Sequence, residues 1–233
     1  MSIELFRQYC LQIHWPVKTI LCLNAAFFAA IACFAQSLKA GFDLNEYKQL
    51  MYMSARVGDM APQYYADIPK PEGYVKTYQS PVMGLDNLWD LWTAPRKPYV
   101  MSIRGTTTNT ISWMENFYAA MVPAKGTLVL SPEYTFNYEL SDNPAAAVHA
   151  GWLIGTAFLV RDILPRVDSL YKLGQSEFII IGHSQGGGIT YLIAAHLYAL
   201  QKKACCPGTF VLSPMVLRLQ NRATCILPMS LSI

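Results

Sequence analysis

Residues 177–192 read EFIIIGHSQGGGITYL. Phe178 to Ile181 are four bulky apolar residues with no polar alternation, the pattern of a strand covered on both faces. They run into Gly182, and an apolar helical pattern begins just beyond. A strand of this kind needs neighbours in the sheet and helices on either side of it. That argues for an α/β architecture with a sheet largely parallel in its centre.

The rest of the chain fits that frame. Leu44 to Gly58 reads as an amphipathic helix, and Met60 to Tyr74 as proline-punctuated loop. Tyr74 to Ala94 holds two strands of a hairpin or meander. Lys97 to Thr108 is a strand that ends at Arg104-Gly105, followed by a short helix over Asn109 to Met121. Pro123 to Asn143 is rich in turn formers and aromatics and reads as a flap of short strands. Pro144 to Gly174 is a long helix in which Pro165 marks a kink or break. The strand Ser176 to Gly182 and the helix Gly186 to Lys202 complete the pattern.

Gly182-His183-Ser184-Gln185-Gly186 fits G-x-S-x-G with a strand before it and a helix after it. This is the setting of a nucleophile elbow, which holds a serine hydroxyl exposed above the sheet edge. Glycines on both sides let strand and helix approach without side-chain clashes. The helix N-terminus turns free amides toward developing negative charge. The plainer reading makes Ser184 a simple N-cap of a glycine-rich helix; the buried-type strand ahead of it favours the elbow. A second strand end, Ser102-Ile103-Arg104-Gly105-Thr106, lies well upstream and is placed to supply another donor to an oxyanion.

Composition narrows the alternatives. Hydrophobic residues make up 53% of the chain and charged residues 14%, which excludes a disordered polar chain. The formal charge is +3, and no basic cluster interleaves with aromatics, so nucleic-acid binding has no support. Val17 to Ser37 contains a lysine, an apolar run interrupted by Asn24, and small residues up to Ala35. This reads as a secretory signal over residues 1–35, and hence an exported protein, whether periplasmic, secreted or on the outer surface. Lipid anchoring at Cys33 and an uncleaved anchor are the rival readings. Cys10, Cys22 and Cys33 fall in that segment and Cys205, Cys206 and Cys225 in the tail, with none between. No spacing matches a zinc site, and no metal or cofactor is implied.

The motifs SIRGTTT, AVHAGW and IIGHSQGGG occur in that order. Together they resemble the class 3, fungal-type lipases of the α/β-hydrolase fold, over about Tyr74 to Lys203. The resemblance implies a mostly parallel central sheet flanked by helices, with the C-terminal part of the fold missing or altered. It implies a serine ester hydrolase acting on an ester or lipid, in contact with a membrane or lipid surface. Ser184 matches the nucleophile, and the amides of Thr106 and Gln185 match the oxyanion hole. Ala119 to Ala147 occupies the lid position but is longer and more strand-like than a short helical lid. His149 matches a structural motif position, His183 the variable position beside the nucleophile, and His196 faces away. Trp89, Trp92, Trp113 and Trp152 read as core or rim aromatics.

In that family an acid and then a histidine follow the nucleophile. After Lys203 this sequence has no Asp, Glu or His. Residues 36–203 therefore read as a truncated hydrolase domain that is expected to be poorly active. Residues 204–233 read as an atypical tail, a frame-shifted version of the family C-terminus that lacks the sheet strand beside the elbow. A non-catalytic exported binding or structural protein on the same scaffold is the competing reading, and a thioester or peptide hydrolase a third.

Overall fold

Nine strands and four helices are distributed over the residues this computed structural model describes, 41–59, 63, 65–204 and 216–221. The strands are β1 Val75–Gln79, β2 Trp89–Thr93, β3 Tyr99–Ile103, β4 Met121–Pro123, β5 Lys125–Ser131, β6 Tyr134–Glu139, β7 Ala147–His149, β8 Glu177–Gly182 and β9 Val216–Asn221. The helices are α1 Leu44–Ser54, α2 Thr110–Phe117, α3 Ala150–Lys172 and α4 Gln185–Ala204. The central sheet has the order β1-β2-β3-β8-β9. β2 pairs antiparallel with both β1 and β3, while β3, β8 and β9 pair in parallel. All strands of this sheet but β2 therefore share one direction. This is the α/β-hydrolase-type fold, a mostly parallel sheet with helices on its faces.

The two faces follow from the period of two along β8. Ile179 and Ile181 join Trp92 and Val100 under Leu50 and Met53 of α1. Phe178 and Ile180 point the other way, into the larger core with Leu153 and Ile163 of α3 and Ile189 and Ile193 of α4. All four β8 residues are at most 1% exposed. Each such side chain contributes about 1.5–3 kcal/mol by leaving water, so the sheet cannot do without either helix layer.

Several boundaries differ from the sequence reading. α1 stops at Ser54, short of Gly58, where a single tight turn at Val57–Asp59 takes over. α3 starts at Ala150 and not near Pro144, because Ala147–His149 pairs with β4 instead. Pro165 does not break α3, which runs unbroken to Lys172. Pro165 is exposed while Ile163 and Val167 beside it are buried. The carbonyl that loses its donor thus lies on the watered side, where solvent can replace the bond.

The tail also departs from expectation. Val216–Asn221 pairs in parallel with β8 from Glu177 to Gly182, so the strand predicted to be lacking beside the elbow is present. Its run VLRLQN has the apolar residues a sheet strand needs, and pairing satisfies the backbone groups that β8 would otherwise present at an edge. The signal segment, and the tail apart from β9, lie outside the described residues. Among the described residues no helix is long and apolar enough to cross a membrane.

The flap is a real hairpin, β5 with β6. It is tied to the body rather than loose: Phe136 and Tyr138 are in the core, and the Tyr134 hydroxyl donates to the Ala157 carbonyl at 2.5 Å. The Phe136 ring lies 4.8 Å from that of His196 on α4. His196 is 5% exposed and its Nδ1 has no hydrogen-bond partner among the described residues. Burial, with a smaller push from Lys203, lowers its pKa from 6.5 to about 4. Glu139 and Asp142, the acids of this end of the hairpin, are paired with Lys125, Lys203 and Lys202.

His196 thus stays neutral in the folded state at a pH where the unfolded chain would already protonate it. The contribution of His196 to stability is complete above pH 6.5 and is lost as pH drops toward 4, by about 3 kcal/mol in all. Denaturant unfolding between pH 7 and 4 checks this as a difference: the stability of the wild type minus that of His196→Leu should fall by about 3 kcal/mol across the range, and a constant difference would contradict it.

Candidate active site

The site is set by strand register. Ile103 at the end of β3 lies opposite Gly182 at the end of β8 in a parallel pair. Both chains leave the sheet at the same edge, and the third residue beyond each is Thr106 and Gln185. The register therefore brings these two together, and the Thr106 hydroxyl donates to Gln185 Oε1 at 2.8 Å.

Ser184 sits between them in the turn from β8 to α4, with φ of +56°. An L-residue pays about 1–2 kcal/mol to enter this left-handed region. Its side chain is exposed while Gln185 is buried. The Ser184 carbonyl accepts the first helical bond, from Gly188 N at 3.2 Å. The Gln185 amide, in the first turn of α4, belongs to the set that lacks an intrahelical acceptor.

Glycine permits this turn by close approach. A side chain at Gly186 would stand 2.6 Å from the Ile103 carbonyl oxygen and 2.7 Å from that of Arg104. One at Gly182 would run into Gly186 itself. The end of β3 and the start of α4 thus meet backbone to backbone around Ser184.

The strand end at Arg104–Thr107 is held just as firmly. Arg104 Nη2 pairs with Asp86 Oδ1 at 3.0 Å, and the Thr107 hydroxyl donates to Asp86 Oδ2 at 2.6 Å. Asn116 Nδ2 donates to Thr106 Oγ1 at 2.8 Å, while Asn116 Oδ1 accepts from Trp152 Nε1 at 3.1 Å. His149 caps α3: Nδ1 accepts from Trp152 N at 3.2 Å, Nε2 lies 3.1 Å from the Asn116 carbonyl, and the ring stacks on Trp152.

The structure brings Ser184, Thr106 and Gln185 together as the sequence places them. His149 and His196 are built into the scaffold, the first as a cap and the second beneath the hairpin. Trp89 and Trp92 are core, whereas Trp113 is half exposed on α2. Sequence reasoning missed Asn87, Ser112, Glu115 and Asn116, the polar side chains behind the turn. Ser112 and Glu115 are buried at 1% and 0%, although they lie on a helix whose apolar residues face outward. The one available signal was their i, i+3 spacing, which puts two polar residues on a single face.

A family profile described as Lipase (class 3) matches residues 100–215, from β3 through the elbow into the segment before β9. The chain belongs to the class 3 lipase family. Among curated proteins none matches it by sequence. Solved lipases are similar in fold. The fungal lipase of a lipase–inhibitor complex is 15% identical with a TM-score of 0.48, over 66% of this chain and 54% of its own. Rhizomucor miehei triacylglyceride lipase is 14% identical with a TM-score of 0.46, over 76% and 62%. The lipase from Rhizopus microsporus var. chinensis is 15% identical with a TM-score of 0.44, over 77% and 58%. This class 3 lipase chain therefore spans 54–62% of the length of those three structures.

Gly186→Ala is expected to cost about 3 kcal/mol, because its methyl group would meet the Ile103 and Arg104 carbonyls at the end of β3, which cannot both retreat. A melting curve of the variant, with the wild type as control, checks it. No loss relative to that control would show that the two backbones are not in contact.

Proposed function

We propose that this chain is a serine ester hydrolase of the lipase type, in which Ser184 is the nucleophile and the amides of Thr106 and Gln185 bind the oxyanion. The observation that carries this is the turn itself. An exposed serine held at positive φ, with a strand end and a helix N-terminus tied together on either side of it, has no structural use that an ordinary N-cap would not serve at less cost.

In the reaction Ser184 Oγ attacks the acyl carbonyl carbon and the carbonyl electron pair moves onto oxygen. The two amides receive that charge. The hydroxyl proton must pass to a base and then to the departing alcohol. Two of the described histidines are engaged elsewhere: His149 caps a helix and His196 is buried beneath the β5–β6 hairpin. His183, next to Ser184, has an exposed side chain. With His149 and His196 engaged elsewhere, and no Asp, Glu or His after Lys203, the turnover of these 233 residues should be poor.

The substrate reading is an ester with an apolar acyl part, presented at a lipid surface. Support comes from α2, which directly follows the oxyanion strand end and exposes Ile111, Trp113, Met114 and Phe117 at 46–77%. Apolar side chains grouped this way beside a reactive turn fit a lipid better than water. Export is part of the proposal, carried by the N-terminal signal pattern. The missing base favours one alternative, a binding protein that keeps the hydrolase scaffold without its chemistry.

A fluorophosphonate probe separates the two. Slow labelling that disappears in Ser184→Ala is expected, together with p-nitrophenyl butyrate turnover on the order of 10³-fold or more below that of a complete triad. Silence of the folded protein toward the probe would favour the binding protein. Turnover at ordinary enzyme rates, abolished by Ser184→Ala, would show that a base is present after all.

A further inference from the structure

α2 is folded inside out. Its apolar side chains face solvent, and it buries Ser112 and Glu115 against the elbow. A carboxyl group at 0% exposure must be paired, hydrogen-bonded or neutral. No lysine, arginine or histidine forms an ion pair with Glu115 among the described residues. Asp86, the charged group that bears on it, repels it and is itself bound to Arg104. From α3 the wall is Gly151 and Gly155, which bring no charge.

The hydrogen-bond inventory shows what form fits. Glu115 Oε2 accepts from Asn87 Nδ2 at 2.8 Å and from Gln185 Nε2 in a short bond. Glu115 Oε1 and Asn87 Oδ1 are both buried acceptors without a donor among the described residues. Both lie around Gly155, where an added Cβ would contact Glu115 Oε1 and stand 3.0 Å from Asn87 Oδ1. One proton on Oε1 would turn that oxygen from an unmet acceptor into a donor, for which Asn87 Oδ1 is the unmet acceptor on the same side. Oε2 is then a carbonyl oxygen accepting two bonds, which its two lone pairs allow. Burial pushes the same way, raising the Glu115 pKa from 4.5 to about 8 against the opposing pull of the bonds from Asn87 and Gln185.

The Gln185 side chain is clamped at its other end too. Its Oε1 accepts from Thr106 Oγ1 at 2.8 Å, and from Ser112 Oγ and Asn116 Nδ2 at 3.4 Å each. Glu115 and Thr106 therefore hold the two ends of one amide group, whose own backbone follows Ser184.

We propose that Glu115 is kept as a neutral carboxylic acid and is a positioning residue, which fixes the Gln185 side chain and through it the two strand ends that flank Ser184. This rests on the reading of Ser184, Thr106 and Gln185 as the hydrolytic centre. Folding raises the proton affinity of Glu115, so its contribution to order at the turn is complete below pH 4.5 and is lost as pH climbs through about 8. Above that point a buried charge draws in water and loosens the clamp.

Nuclear magnetic resonance of the labelled chain tests this without turnover. The Glu115 carboxyl carbon should titrate far above the ordinary carboxylate range, and the Gln185 backbone and side-chain amide signals should move with the same midpoint. Glu115→Gln, which copies the neutral acid, should abolish that titration and leave the Gln185 backbone amide near its neutral wild-type position. Glu115→Ala should displace it and slow fluorophosphonate labelling of Ser184 on the order of tenfold. If the Ala variant does not fold, the wild-type titration and the Gln variant still decide. A Glu115 carboxyl that ionises at its ordinary pH, or Gln185 signals that ignore its titration, would overturn the proposal. Intact coupling from Glu115 to Gln185 with no probe reaction at Ser184 would sink only the hydrolytic reading.

Discussion

The pairing of β3 with β8 decides the geometry of everything above the sheet. Parallel strands deliver their carboxyl ends to the same edge, and the register of Ile103 with Gly182 sets which residues leave it together. Shift that register by one and Thr106 no longer meets Gln185. The register is held by packing: Phe178 and Ile180 belong to one core and Ile179 and Ile181 to the other, so a slip would exchange both sets at once. The apolar strand that makes the fold stable is thus also what aims Ser184.

Polar order is layered on that base. The elbow brings two backbones so close that only glycine fits at Gly186, and Ser184 is left in a conformation it would not choose alone. Something must hold the strained turn, and side chains from four places do so: Asp86 and Asn87 before β2, Thr106 and Thr107 after β3, Ser112, Glu115 and Asn116 on α2, and Trp152 with His149 on α3. Burying these groups on α2 forces its apolar residues outward. The exposed apolar face and the buried polar network are two sides of one helix, so both come from the same eight residues.

Much of this was legible in the sequence because it depends on local pattern. A four-residue apolar run, a glycine-flanked serine and a helical pattern after it are sufficient to place β8, Ser184 and α4. Gln185 and Thr106 followed from motif order. Other features depend on partners that only folding reveals. Residues 147–149 look helical by composition and become a strand because β4 lies beside them. Pro165 looks like a breaker, yet its lost bond faces water. Residues 204–233 read as an atypical, frame-shifted tail without a sheet strand because scattered Pro, Cys and Arg around β9 hide a short apolar strand. Glu115 was invisible because a charged residue in a short helix is ordinarily a solvated one.

The central claim is that a serine and two oxyanion donors stand ready in this fold whether or not a base accompanies them. An alkylboronic acid tests that directly, since its trigonal boron becomes a tetrahedral anion when a serine oxygen adds to it and oxyanion donors hold the result. Boron magnetic resonance of the chain with butylboronic acid should show a bound tetrahedral signal that is lost in Ser184→Ala and weakened in Thr106→Val. A trigonal signal unchanged by the protein, or a tetrahedral one that survives Ser184→Ala, would contradict the account.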